Sequence, residues 1–150
     1  MRTLIYVVIL LSMLFGLSLP MLAAQENVTY INPRTVGEAG GPFSGSVLAG
    51  NTLYISGTLG LDENGEVPTE VAVEAKNVLD NIQSQLQDAG MTMDDLVSVQ
   101  VYCSDVAHYD IFNEVYRTYF SAEFPTRAFV GSGTLLFGAR FEVLGIAVDH

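Results

Sequence analysis

The sequence predicts an α+β domain, a mostly antiparallel sheet with two helices on one face. Three observations carry this. Strand-like and helix-like segments follow the order β-β-β-α-β-α-β-β, with strands grouped first and two helices interleaved. Val71, Ala75, Val78, Ile82, Leu86 and Ala89 recur at intervals of three and four, the period of one helical face. Phe141–Val148 is apolar on both of its alternating faces. Helices can cover only one of them.

The elements lie within residues 25–150, and residues 1–24 stand apart. That first stretch holds one charge, Arg2, then an apolar run to Leu19, Pro20 and the small pair Ala23-Ala24. A basic tip, an apolar stretch and a small-residue exit form the pattern of a secretory signal peptide, with cleavage expected after Ala24. The competing reading is an uncleaved anchor, although ~16 apolar residues fall short of the ~20 that span a bilayer. The expected destination is periplasmic or secreted. Removing Arg2 leaves five basic residues against 17 acidic ones and takes the net charge from −11 to −12. So acidic a chain is a poor partner for nucleic acid, which is held through clustered Lys and Arg. It is equally ill suited to anionic membrane surfaces, so no membrane contact is expected after cleavage.

A short strand is expected around Val28–Ile31, followed by a loop through Pro33 and Gly40-Gly41. Two apolar runs, Ser46–Ala49 and residues 53–56, flank Gly50-Asn51 and read as a hairpin. Turn residues Asn64-Gly65 mark the next loop. Thr69 is placed to cap a helix, with Glu70 and Glu74 near its positive end and Gly90 as its stop. Val97, Val99, Val101 and Cys103 alternate with polar residues as a half-buried strand. A second helix is expected over 106–120, its buried stripe formed by Tyr109, Phe112, Tyr116 and Phe120. Pro125 ends it, and residues 128–130 and 141–148 supply the last two strands. In the final strand Glu142, Leu144, Ile146 and Val148 share one face. An apolar face left open predicts a partner, here a second copy of the chain.

Cys103 is the only cysteine, so no intrachain disulfide forms, and a buried inert thiol is the expected reading. His108 and His150 form no metal-ligand spacing. Asn27-Val28-Thr29 is a glycosylation sequon for a eukaryotic host. Arg127 is the strongest candidate for chemistry. It begins a strand after Phe124-Pro125-Thr126 in an apolar neighbourhood, and its fork of donors matches a carboxylate. An ion pair with one of the many acids is the competing reading. Ser56-Gly57 follows a strand and can present backbone amides to an anion.

These residues fall into a wider pattern. Gly41-Pro42-Phe43-Ser44, Leu53 through Gly57, Asn77 through Ile82, Leu86 through Gly90 and Asp94-Asp95-Leu96-Val97 appear in order. Phe112-Asn113-Glu114-Val115-Tyr116, Pro125-Thr126-Arg127 and Phe141-Glu142-Val143 continue it. In order and spacing they resemble the RidA/YjgF family of enamine/imine deaminases, from about Glu38 to Val148. The resemblance implies a chorismate-mutase-like fold, a homotrimer with three clefts between subunits, and hydrolysis of 2-imino and 2-enamino acids to 2-keto acids and ammonia. It implies neither metal nor organic cofactor. The family's carboxylate-binding arginine falls on Arg127, its substrate-holding amides on Ser56 and Gly57, and its cleft asparagine on Asn113.

The same frame shows departures. The family's Tyr in Gly-Pro-Tyr-Ser is Phe43 here, and the residue two beyond the arginine, often Cys, is Phe129. The water-positioning Glu falls on Leu144, and Glu142, one pleat away, is the candidate substitute. Arg127 beside Leu144 would form a drier pocket. Two functions therefore stand: a deaminase of altered activity, or a non-catalytic exported trimer that binds small carboxylates or a protein partner. Chorismate mutase activity would rest on likeness of fold alone, and few cations are available for a dicarboxylate.

Overall fold

The computed structural model describes residues 27–35 and 41–149. The expected signal peptide, the residues about its cut, and His150 lie outside the described residues. Six strands form one mixed sheet: β1 (Val28–Ile31), β2 (Ser46–Ala49), β3 (Thr52–Leu59), β4 (Leu96–Cys103), β5 (Thr126–Gly131) and β6 (Phe141–Val148). Their spatial order is β1-β2-β3-β6-β4-β5. All neighbours are antiparallel except β4 and β5, which are parallel. The α-helices among the described residues are α1 (Val71–Asp88) and α2 (Tyr109–Tyr116). The element order is the one read from the sequence.

Both helices pack on one face. Ala75, Val78, Leu79, Ile82 and Leu86 of α1 and Phe112 and Tyr116 of α2 meet Leu53, Ile55, Val99, Val101, Phe141, Val143 and Ala147 of the sheet. Phe112 is fully buried, with its ring 4.8 Å from that of Phe141 and 5.6 Å from that of Phe129. Cys103 is also fully buried, and burial pushes its thiol above the ordinary range, as suits an inert side chain.

The end of α1 follows the sequence closely. Gly90 takes φ +78°, its N–H donates to the Gln87 carbonyl, and that of Met91 donates to the Leu86 carbonyl. This paired closure needs a left-handed residue, and glycine adopts that conformation without a Cβ penalty. The start of α1 differs from expectation. Thr69 does not cap it; Glu70 is the cap residue and makes no side-chain cap bond. The Thr69 carbonyl instead accepts from Arg140 Nη2 at 3.0 Å. Glu74 is fully buried rather than exposed at the helix dipole. Its carboxylate accepts from Arg140 Nη1 at 2.7 Å and from the Arg140 backbone N–H at 2.6 Å, a stronger set of bonds than a dipole offers.

Two further readings are corrected. The 106–120 segment is not one helix: α2 is flanked by 3-10 turns at Val106–His108 and Arg117–Tyr119. The Asp105 carboxylate starts the first turn by accepting from the Ala107 N–H at 2.9 Å. In β4, Val97 is exposed and Leu96 takes the buried place. The register with β6 slips between Leu96 and Ser98, and the extra residue shifts the alternation by one.

Among the described residues no helix covers the opposite sheet face. Tyr30, Val47, Tyr54 and Ile146 are register partners in one row across β1, β2, β3 and β6. Tyr30 is 60% and Tyr54 51% exposed, so the row is open in a single chain.

Candidate active site

Two clusters of candidate residues form, on different faces of the sheet. The first surrounds Arg127 at β5, the sheet edge. Arg127 pairs with Val99 of β4, which faces the helices, so Arg127 faces them too. Its Nη2 donates to Asn113 Oδ1 of α2 at 2.7 Å. The guanidinium carbon lies 4.6 Å from the centre of the Tyr116 ring, 5.8 Å from that of Phe129 and 5.9 Å from that of Tyr109. Aromatic faces stabilise a cation without neutralising it. No described carboxylate stands within ion-pair distance of Arg127. Among the described residues the competing reading of an ion pair therefore finds no acid. A cleft of about 330 Å³ opens here, lined by Asn113, Tyr116, Arg117, Phe124 and Arg127. Burial pushes the Tyr116 hydroxyl up to about 12, although Arg127 acts to lower it, so the phenol stays neutral beside the cation.

The second cluster lies on β3 and β6. Ile55 pairs with Gly145 and Thr58 with Val143, so Ser56 and Gly57 together oppose the single residue Leu144. This is a β-bulge, which takes the local backbone out of regular pairing. The Ser56 hydroxyl donates to the Ser44 carbonyl at 2.7 Å, which ties the bulge to the segment before β2. A Cβ at Gly57 would meet the Glu142 carboxylate, so that carboxyl group lies directly against the Gly57 backbone. The carboxyl group beside the bulge therefore belongs to Glu142. Leu144 shares its face and pairs with Gln100.

A pocket joining Leu144 to Arg127 does not form within one chain. Ile55, Gly145, Val99 and Arg127 lie in one row. Two strand spacings, about 10 Å, separate β6 from β5, and Leu144 points to the face opposite Arg127. Phe129 backs the guanidinium and packs edge-on against Tyr109 at 5.0 Å. Phe43 is 57% exposed, with its ring folded over Gly41. Tyr116 and Arg117 were not singled out as site residues from sequence. Their spacing of three and four from Asn113, a single helical face, is the signal that finds them. Among the described residues no group of His, Cys, Asp and Glu gathers to hold a metal ion.

The chain matches the endoribonuclease L-PSP family over residues 35–149. It is 42% identical over 111 residues to the Bos taurus 2-iminobutanoate/2-iminopropanoate deaminase, covering 73% of this chain and 81% of that one. The crystal structure of RidA from an Antarctic Psychrobacter is similar at TM-score 0.70 and 33% identity, over 81% of this chain and 96% of that one. E. coli TdcF with bound serine is similar at TM-score 0.74 and 28% identity, over 81% and 99%.

Proposed function

This chain belongs to the RidA/YjgF family of endoribonuclease L-PSP proteins, and we propose that it hydrolyses 2-imino and 2-enamino acids to 2-keto acids and ammonia. The observation that carries this is Arg127: in a chain of net charge −11, its guanidinium is bonded to a neutral amide and to no described carboxylate. It is poised to take a substrate carboxylate in a two-point contact. An imine carbon is already electrophilic, so catalysis rests on orientation and a positioned water. Glu142 supplies the base. It takes a proton from water as the oxygen bonds to the imine carbon and passes it to the nitrogen, giving the carbinolamine. It then takes the hydroxyl proton as the C=O bond forms and passes that to the nitrogen as the C–N bond breaks and ammonia leaves. No cofactor enters these steps.

A single chain holds these groups on opposite faces, so we propose that a homotrimer brings Arg127 of one copy to Ser56, Gly57 and Glu142 of the next. Two features support this: the open apolar face, and Arg127 on an edge strand. The amino-terminal pattern supports an exported enzyme. Leu144 favours the second reading, a trimer that binds carboxylates without chemistry; Glu142 beside the bulge favours catalysis. The test is 2-keto acid and ammonia release from freshly generated 2-iminopropanoate. Acceleration over spontaneous hydrolysis is expected. Carboxylate binding without acceleration would establish the binder.

Leu144→Glu tests the assembly. With Glu142 already present, a second carboxylate is expected to give no gain in rate. It places a charge on the apolar face of each copy, so light scattering should show the trimer dissociating toward monomer. A stable trimer with raised activity would contradict both the face and the assignment of Glu142.

A further inference from the structure

The cleft at Arg127 contains a second cation. Arg117 follows Tyr116 at the end of α2, four residues from Asn113, and lines the same cleft. Residues 25–150 hold only five basic residues. Arg140 is bound to buried Glu74, and Lys76 is paired with Asp80. Arg117 and Arg127 have no described carboxylate within ion-pair distance, yet both border one space of about 330 Å³. A cation at a helix C-terminus complements the dipole, which accounts for Arg117 alone. It does not account for two guanidinium groups on one cleft, each without a described acid partner, in so acidic a chain. Like charges raise the cost of the empty site, and an anion carrying two carboxylates lowers it.

Building on the deaminase reading, we propose that this cleft binds dicarboxylates, which makes four- and five-carbon 2-imino dicarboxylic acids the substrate class. Arg127 holds the carboxylate beside the imine, within aromatic walls. Arg117 is exposed and meets the distal carboxylate at the mouth. The cleft volume lies at the lower end for small-molecule sites, which suits so short a ligand. The scarcity of cations, which in sequence argues against a dicarboxylate, is offset by their placement.

The test compares succinate with propanoate by calorimetry on the full-length protein at low salt. A charge-assisted contact to the distal carboxylate makes succinate bind about tenfold tighter, and Arg117→Gln or Arg117→Glu removes that preference. Arg117 is exposed, so neither change disturbs the core. The kinetic arm is the ratio of kcat/KM for 2-iminosuccinate to that for 2-iminopropanoate, expected to fall about tenfold in Arg117→Gln. Equal binding of the two acids by wild type, or a preference unchanged in both variants, overturns the proposal. If 2-iminopropanoate is hydrolysed without dicarboxylate preference in either arm, this inference fails and the deaminase reading stands. If succinate preference depends on Arg117 but no imine is hydrolysed, the deaminase reading fails and the dicarboxylate site stands.

Discussion

Arg127→Ala is expected to lower kcat/KM for 2-iminopropanoate by about 10²–10⁴-fold. A hydrogen bond to a charged group contributes about 1.5–3 kcal/mol, and the free part of the guanidinium can make two to a carboxylate. Asn113 holds one side of the fork and the Tyr116 ring supports its face, so the donors are pre-positioned. Much of the loss appears in KM, since ground state and transition state both carry the carboxylate. The remainder appears in kcat, through misorientation of the imine. Arg127→Lys keeps the charge and loses the fork, and should fall between wild type and the alanine variant. The fold persists, because the loss of stacked cation contacts costs about 0.5–2 kcal/mol, readable as a small shift in thermal midpoint. Unchanged kcat/KM in a folded Arg127→Ala protein would remove the arginine from the site.

Glu142→Gln is expected to reduce kcat by about 10²–10⁴-fold with KM little changed. The amide has the size of the carboxylate and takes its place against Gly57. What it lacks is a basic oxygen to take the proton of the attacking water. Steady-state rates for the two variants separate the roles, binding for Arg127 and proton transfer for Glu142. A Glu142→Gln protein as fast as wild type would return attention to another water handler.

Much of this site was legible in sequence, in specific places. Arg127 stood out as a cation in an apolar setting, and its partner Asn113 followed from the family frame. The Gly90 stop and the two apolar faces of β6 followed from local chemistry and period two. Other features depend on pairing, which no single segment encodes. The slip at Val97 adds one residue to β4, and simple alternation cannot register it. Thr69 has good capping chemistry, but the long-range bonds of Arg140 claim its carbonyl. The choice between Glu142 and Leu144 turns on the Ser56-Gly57 bulge, which appears only once β3 and β6 are in register. Sequence period also could not show that Arg127 and Leu144 face opposite ways, because that depends on which strands neighbour one another.

The shared site is tested most directly by subunit complementation. Arg127→Ala and Glu142→Gln chains, each nearly inactive, are unfolded together in equal amounts, reassembled, and assayed on 2-iminopropanoate. In random trimers, one interface in four joins an intact Arg127 to an intact Glu142 of the neighbouring copy, so activity should return to about a quarter of wild type. Activity no higher than the average of the two separate variants would show that the site is not built between copies.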